Sequence, residues 1–500
     1  MVRDILNKNK NHVITFFVIL IFYIYRVYEN VFPENYQQDD VSELRVVFIN
    51  EFFCALDSGD NHPLYTMFIW LTSRFVNSPE YIISFTLICL TILSMVIFFN
   101  ILKDQFNIEI AILSLAVLLF SPSIITYSLS LKQYSFELFA TIYSLRFLQE
   151  YLNSEISFKS KIKFCITSTT LVLFSFVNLI PIFLTIFFIF IKLRKINFKF
   201  IVAPLLVLIP FFGYFIRKVE RVTESGYWDN FFITNKVLSI QDFFNNIYFL
   251  NTLFLKSLFL EELVPIVFFV YICAIISTFF SKDKIIIYSL AGVTVITLLS
   301  ILRLYPLGGG RTDILFLPYL LILISGFVNN IYLKFKNKNL KYILFLFIFL
   351  YSFYGFSTTT VFYKNENIEP IIFNLEEKFN SNDSVIIVTS DQYPSLIYYS
   401  KNLVDSSVYQ INGCEKIKPN IENLVVFDEN VYFDNLLETP LVSSKTIFEK
   451  KQIILIGIEL PGSQGKYRAV NNFILDNNFS LSKKTEYENG LISLEFNSNE

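Results

Sequence analysis

Long apolar segments fill residues 1–357 of this chain, and they constrain its fold more than any other feature. A helix needs about 20 apolar residues to cross the hydrocarbon core of a bilayer. The composition agrees with repeated crossings, since 54% of the residues are hydrophobic and 17% are charged. The sequence therefore predicts a polytopic α-helical membrane protein. The predicted spanning segments are residues 12–32, 80–102, 107–126, 134–152, 163–191, 200–217, 258–280, 284–302, 312–332 and 339–357.

Lysine and arginine residues in the loops predict the orientation of these segments. They are concentrated before residue 12 and at residues 159–163, 192–199, 282–284 and 334–341. Loops rich in these residues stay in the cytoplasm. Segment 163–191 has basic loops at both ends, so we predict a break near Asn178–Pro181 and about eleven crossings in total. We expect a multi-pass protein of the cell (inner) membrane with a cytoplasmic N-terminus.

The same orientation places the unusual polar loops together on the outer side. These loops are residues 33–61, 127–133, 218–257 and 303–311. Residues 62–76 are apolar but short, so we predict a helix that lies along or dips into the outer face. We expect membrane lipid to surround the spanning helices. The net charge of −2 and the confinement of basic residues to loops argue against a nucleic-acid partner.

The composition changes near residue 358, and we predict two domains, a membrane module at 1–357 and a soluble extracytoplasmic α/β domain at 358–500. Short β-rich runs alternate there with polar or helical stretches. The predicted strands are Val385–Ser390, Leu424–Phe427, Ile453–Ile458 and Leu491–Phe496. The five cysteines have no CxxC spacing and fall mostly in apolar segments, so we expect buried free thiols.

The outer loop 33–61 carries three carboxylates, Asp39, Asp40 and Glu43, directly after the first apolar segment. Adjacent carboxylates raise one another's pKa, and one of them can act as a general base for a hydroxyl proton. Acidic residues are also favoured at a helix N-terminus by the helix dipole. The residues by themselves leave both interpretations open.

His62 precedes Pro63 at the start of the predicted helix 62–76. Proline suits the first turn of a helix, so Asp60 or Asn61 can be a cap. His62 can serve as a structural residue, hydrogen-bond a phosphate or bind a metal. A zinc site is disfavoured by the scarcity of nitrogen and sulfur ligands, whereas a carboxylate-held divalent ion is compatible with the loop. The cofactor therefore stays unassigned, with a divalent metal ion as the candidate.

Two further outer turns combine cations with tyrosines. Lys132 lies between Tyr127 and Tyr134, as either a snorkelling anchor in an aromatic belt or a ligand for an anion. The second turn reads Arg303-Leu-Tyr305-Pro-Leu-Gly-Gly-Gly-Arg311. Glycines let a backbone approach a ligand closely, and arginine matches phosphate with paired donors. This pattern favours a binding turn over a plain loop.

Taken in order, these stretches resemble the multi-spanning GT-C glycosyltransferases of the protein-mannosyltransferase and aminoarabinose-transferase type. That family has an acidic pair after the first helix, then HPPLYY, then a YSxExRxY turn, later a YPxGxxR turn followed by Leu-Pro, and a soluble outer domain. The corresponding residues here are Asp39-Asp40, His62–Tyr65, Tyr127–Tyr134, Tyr305–Arg311 and Leu317-Pro318. The chain departs from the pattern at Ser130 and Lys132, where the family has a glutamate and an arginine.

The resemblance implies a membrane glycosyltransferase that moves a hexosyl or pentosyl group from a polyprenyl-phosphate donor to a hydroxyl of a lipid, polysaccharide or protein. It implies catalysis by Asp39, helped by Asp40 and Glu43. Donor-phosphate or substrate binding would involve Arg311, Lys132, Tyr134, His62, Arg303 and Tyr305. An O-antigen polymerase or ligase and, less favoured, a polytopic transporter are the alternatives.

Overall fold

A computed structural model describes most of the apolar segments and parts of the remainder. Two units are distinguished, residues 1–30, 61–65 and 81–360 (unit 1), and residues 31–60, 66–80 and 361–500 (unit 2). The acidic residues Asp39, Asp40 and Glu43 and the predicted segment 200–217 lie outside the described residues. The described residues are 17–25, 47, 49, 51–58, 62–76, 79–127, 130–153, 157–193, 229–235, 237–335, 354, 371, 383–389, 406–411, 414–419, 424–427, 451–458, 471–472, 474–476, 478–486 and 491–499.

Helices account for most of the described residues before 336, as the apolar segments predict. They are numbered here in chain order. The helices are α1 Phe52–Ser58, α2 Pro63–Phe75, α3 Pro79–Gln105, α4 Ile108–Leu119, α5 Pro122–Tyr127, α6 Tyr134–Asn153, α7 Phe158–Phe174, α8 Leu179–Leu193, α9 Ile240–Leu258, α10 Val264–Thr278, α11 Lys284–Ile301 and α12 Leu317–Phe335. Helix α9 falls in a region that the sequence assigned to an outer loop.

Three of the described helical stretches are long and apolar enough to cross a membrane. They are α3, the run Glu261–Thr278 that contains α10, and α11. Shorter apolar helices occur at Ile108–Leu119, Phe176–Phe190 and Leu317–Leu333. The described chain is thus helical and suited to a bilayer, while the total of about eleven crossings stays a prediction.

The predicted break in segment 163–191 is present, because α7 ends at Phe174 and α8 begins at Leu179. Ser175 between them has extended backbone angles, with φ −158° and ψ 123°. The Asn178 side chain donates to the carbonyl of Leu171 at 2.8 Å, which satisfies a free carbonyl at the end of α7. Pro181 sits in the first turn of α8, where a missing N–H costs nothing. The local sequence therefore ends one helix and starts the next.

Helices α11 and α12 pack closely through small residues. A Cβ atom at Gly292 would lie 2.5 Å from Cδ2 of Tyr319, and one at Gly326 would lie 2.6 Å from Cδ1 of Ile286. Hydroxyl groups add to this contact, since Tyr288 lies 3.2 Å from the Tyr319 hydroxyl and 2.6 Å from that of Thr185 on α8. Close backbone approach and interhelical hydrogen bonds are the main forces that hold helices together in lipid.

We predict that Gly292→Ala destabilises unit 1. Alanine would improve helix propensity by about 1 kcal/mol, but the added methyl would overlap the Tyr319 ring. Overpacking of this kind costs about 1–3 kcal/mol, so the clash should outweigh the propensity gain. The thermal unfolding midpoint of detergent-solubilised protein should fall by several degrees. Leu298→Ala is the control, because Leu298 is 50% exposed on the same helix. An unchanged midpoint in Gly292→Ala would contradict the packing.

The C-terminal part of unit 2 contains a five-stranded sheet with the order β4-β1-β5-β7-β6. Strand β1 pairs in parallel with β4 and β5, whereas β7 pairs antiparallel with β5 and β6. All four predicted strands are present, within two residues at each end. The strands are β1 Ser384–Thr389, β2 Ser406–Ile411, β3 Cys414–Pro419, β4 Leu424–Phe427, β5 Gln452–Ile458, β6 Phe479–Glu486 and β7 Leu491–Ser498.

One face of this sheet forms a hydrophobic core. Val385 and Ile387 of β1 and Ile453 and Leu455 of β5 alternate along their strands and are buried together with Phe496. The strands β2 and β3 form a separate antiparallel pair. The sequence did not predict β2, β3 or β6, because β3 and β6 are rich in charged and polar residues and have no continuous apolar run.

Candidate functional site

The acidic loop, residues 33–61, is held to helix α2 within unit 2 by residues that follow its three carboxylates. The indole N–H of Trp70 donates to the carbonyl of Ile49 at 2.9 Å, and the Arg74 guanidinium donates to the same carbonyl. The Arg74 guanidinium carbon also lies 5.0 Å from the centre of the Trp70 ring, and the Phe52 ring lies 5.4 Å from it. These contacts give the C-terminal side of loop 33–61 a defined position. The carboxylates Asp39, Asp40 and Glu43 themselves lie outside the described residues.

Cys54 on α1 is disulfide-bonded, whereas Cys89, Cys165 and Cys273 are free thiols. The expectation of free thiols is therefore wrong for Cys54. Its position explains the difference, because Cys54 lies within the polar loop 33–61, which the sequence predicts to be on the outer side, and not in a predicted membrane segment. Disulfides persist in oxidising compartments and are rare in the cytoplasm.

We predict that alkylation of the denatured protein reports this bond. A maleimide reagent of known mass should add to three cysteines before reduction and to all five after it. Intact-mass spectrometry gives both numbers. Cys54→Ser is the control, since reduction should not change the number of additions to this variant. Five additions without reduction would show that Cys54 is a free thiol.

His62 and Tyr65 lie at the beginning of α2, and both are buried. Pro63 is the first residue of the helix, as predicted. The His62 ring is 6.1 Å from the Phe176 ring at the break between α7 and α8. The Tyr65 hydroxyl donates to the carbonyl of Leu131. The start of α2 thus supports the turn that carries Lys132.

The turn 130–134 is buried inside unit 1. Lys132 is 8% exposed and Gln133 is also 8% exposed. A lysine that snorkels to the membrane surface would have an exposed ammonium group, and Lys132 is covered by protein. The Tyr134 ring contacts the Tyr127 ring edge to face, with 5.4 Å between the ring centres. The rings of Tyr127 and Tyr134, called here the aromatic wall, therefore lie next to the turn that contains the buried cation Lys132.

The second turn, residues 303–313, packs against this aromatic wall. Gly308 and Gly310 have φ values of 78° and 66°, which L side chains rarely adopt. A Cβ atom at Gly310 would lie 3.3 Å from the Tyr127 hydroxyl oxygen, and the Ser123 hydroxyl donates to the Gly310 carbonyl at 3.3 Å. The half-buried Arg311 follows directly. The structure therefore brings together two turns that are far apart in the sequence.

Asp313 is the last residue of the second turn, and no motif in the sequence predicted its role. Its side chain is fully buried. One carboxylate oxygen accepts from the Gly308 N–H at 3.0 Å, and the other accepts from the Gly310 N–H at 3.0 Å and from the Ser257 hydroxyl at 2.6 Å. Burial raises the pKa of Asp313 to about 6, while these hydrogen bonds act in the opposite direction. An acidic residue just before an apolar helix was the available sequence signal.

Glu137 is a second buried carboxylate that the sequence analysis missed. It is 2% exposed in the first turn of α6, and it accepts from the Ser175 hydroxyl at 2.7 Å. The pKa of Tyr305 is raised well above its usual value by burial first, and then by the negative charges of Glu137 and Asp313. The Tyr305 hydroxyl donates to the Thr312 carbonyl at 2.8 Å. Tyr305 therefore lies within electrostatic reach of both carboxylates.

Arg303 has different surroundings from Arg311. Its guanidinium forms an ion pair with Asp229 and lies 5.6 Å from the centre of the Phe232 ring. Both members of the ion pair are about half exposed. The neighbouring Tyr227 and Trp228 lie outside the described residues. Arg303 thus has a carboxylate partner at the edge of the turn.

Metal ligands are not grouped in the part of the site that the structure describes. No set of three or more His, Cys, Asp or Glu side chains gathers among the described residues. Asp313 accepts hydrogen bonds from N–H and O–H donors, which leaves it poorly suited as a metal ligand. The chemistry of the described turns is therefore that of cations, tyrosines and buried carboxylates.

The fold of this chain has counterparts among solved structures. It is similar to the crystal structure of the oligosaccharyltransferase of Archaeoglobus fulgidus in complex with zinc and sulfate, with a TM-score of 0.50 and 11% identity over 97% of this chain and 72% of that one. A second similar structure is the oligosaccharyltransferase AglB of the same organism, in complex with an inhibitory peptide and a dolichol-phosphate. Its TM-score is 0.47 at 10% identity, over 79% of this chain and 64% of AglB, so this chain spans less than two thirds of that protein. No family model and no curated protein sequence matches.

Proposed function

We propose that this protein is a membrane glycosyltransferase that transfers a sugar from a polyprenyl-phosphate donor to an acceptor hydroxyl on the extracytoplasmic side. The observation that carries the proposal is the packing of the glycine turn that precedes Arg311 against Tyr127. Tyr127 in turn contacts Tyr134, next to the turn that contains Lys132. The GT-C fold supports the same conclusion. The proposed setting is the cell membrane, with the N-terminus in the cytoplasm and the C-terminal domain outside.

The two turns supply what an anionic lipid headgroup requires. Arg311 can present paired N–H donors to phosphate oxygens, and Lys132 adds a second positive charge from a buried position. Tyr134 and Tyr305 would border the headgroup with rings and hydroxyls, and His62 would support the turn or contact the phosphate. These cations would stabilise the negative charge that develops on the leaving phosphate. Arg303, paired with Asp229, would contribute at the edge.

The acidic loop would supply the base. In the proposed reaction, the Asp39 carboxylate takes the proton of the acceptor hydroxyl, and the acceptor oxygen bonds to the anomeric carbon from the side opposite the phosphate. The bond between that carbon and the phosphate oxygen breaks, and its electron pair leaves with the polyprenyl phosphate. The product would have an inverted anomeric configuration. Asp40 and Glu43 would orient Asp39.

Two observations support an outward-facing reaction. By the positive-inside rule, the loop charges predict that the acidic loop and both turns lie on the side opposite the lysine-rich connectors. The disulfide of Cys54, in the same loop as the acidic residues, is typical of an oxidising compartment. The acceptor would be a lipid, a polysaccharide or a protein, and the sugar a hexose or a pentose.

Removal of the base is the first test of this function. Purified protein is incubated with labelled polyprenyl-phosphate hexoses and pentoses and a membrane extract as the acceptor source, and released polyprenyl phosphate is measured. Asp39→Asn should lower the rate about 10²–10⁴-fold, because a general base contributes an effect of that size. Full activity in Asp39→Asn would exclude Asp39 as the base. Solute movement without donor cleavage would favour a transporter, and polymer growth from a diphosphate-linked repeat unit would favour a polymerase.

Removal of the phosphate-binding charge is the second test. Arg311→Gln should lower kcat/KM about 10²–10³-fold, as expected for the loss of one preorganised electrostatic contact in the transition state. Arg146→Gln is the matched control, since Arg146 pairs with Asp104 and Glu150 at the other end of α6. If both variants retain the rate of the wild type, the phosphate does not bind at Arg311.

A further inference from the structure

The turn that presents Arg311 depends on a backbone shape that is unfavourable without support. Gly308 and Gly310 both have positive φ values, and glycine loses more conformational freedom on ordering than any other residue. Glycine has no side chain that could form contacts to hold this shape. The groups that hold it must therefore bind the backbone N–H or carbonyl groups of the turn.

Asp313 provides these contacts from inside the protein. Its two carboxylate oxygens accept hydrogen bonds from the N–H groups of Gly308 and Gly310. The hydroxyl of Ser257 on α9 donates to the second of these oxygens. Two of these three donors therefore come from the turn itself, on the N-terminal side of Arg311. Hydrogen bonds to an ionised group are about twice as strong as those between neutral groups.

The carboxylate has no charge partner within the described part of the chain. None of the ion pairs among the described residues includes Asp313, although Arg311 is only two positions away. The negative charge of Asp313 raises the pKa of the Tyr305 phenol, and the charge of Glu137 on α6 raises the same pKa. A buried carboxylate held only by uncharged donors is costly in free energy. Its hydrogen bonds to Gly308 and Gly310 instead indicate that it holds the shape of the turn.

We propose that Asp313 is the positioning residue for Arg311, which it keeps in the orientation that binds the donor phosphate. This inference rests on the proposed function, because it assigns Arg311 to the phosphate. Asp313 does not touch the donor. It acts through the turn, and Ser257 assists it from α9.

The proposal has a pH signature that follows from the ionisation of Asp313. The carboxyl group is ionised above its pKa of about 6 and protonated below it. A protonated carboxyl group accepts hydrogen bonds from Gly308, Gly310 and Ser257 less well than a carboxylate does. The turn that presents Arg311 is then held less firmly, so the affinity for phosphate should fall as the pH drops through this range. A phosphomonoester also titrates near pH 6, whereas a diester does not. A diester probe therefore separates the two effects.

The experiment measures binding of the methyl diester of polyprenyl phosphate to the full-length protein in detergent. Arg311→Gln and Asp313→Asn should each weaken binding about tenfold, or about 1.4 kcal/mol. In the double variant the second change should add less than twofold, because Asp313 acts only through Arg311. Binding by the wild type should weaken at about pH 5 relative to pH 7.5, and this dependence should be lost in Asp313→Asn.

Additive losses in the double variant, or unchanged binding in Asp313→Asn, would overturn the positioning role. If the wild type does not bind the probe, the proposed function fails instead. Should Asp313→Asn fail to fold, Ser257→Ala removes one of the three hydrogen bonds and should weaken binding about threefold only when Arg311 is present. Ser239→Ala and Asp242→Asn on the exposed start of α9 are the matched controls and should bind as the wild type does.

Discussion

Polar groups inside a helical membrane protein must find their partners within the protein, because lipid tails offer none. The described helices show how this chain meets that constraint. Ser114 on α4 pairs with Ser325 on α12 at 2.6 Å, and Thr91 on α3 pairs with Ser135 on α6 at 2.9 Å. The Thr141 hydroxyl reaches the Leu315 carbonyl just before α12. Each of these pairs joins two parts of the chain that are distant in sequence.

The same constraint explains why the buried polar groups of the candidate site lie where helices end. At such points backbone N–H and carbonyl groups lose their helical partners and bind side chains instead. Asn178 satisfies a carbonyl at the end of α7, and Asp313 satisfies two glycine N–H groups ahead of α12. Glu137 and Ser175 join the start of α6 to the break after α7. The candidate site therefore consists of helix ends whose backbone groups bind side chains. Such helix ends can be both buried and polar.

The predictions from the sequence succeeded where a periodic or local signal exists. Apolar length predicted the helices, and the Asn178–Pro181 signal predicted the break in segment 163–191. Helix α9 was missed because its exposed face carries both apolar and polar residues, among them Phe244 and Tyr248, so no long apolar run marks it. The roles of Asp39, Asp40 and Glu43 stay predictions, since those residues lie outside the described part of the chain.

From the sequence one can predict a helical module suited to a membrane, four strands of the C-terminal sheet and the two turns that contain Lys132 and Arg311. These features depend on hydrophobicity and on short motifs, which are properties of neighbouring residues. The contact of Tyr127 with Gly310, the burial of Lys132 and the action of the Asp313 and Glu137 charges on Tyr305 are visible only in the folded protein. Burial and long-range hydrogen bonds arise from the packing of distant segments, so no local pattern encodes them.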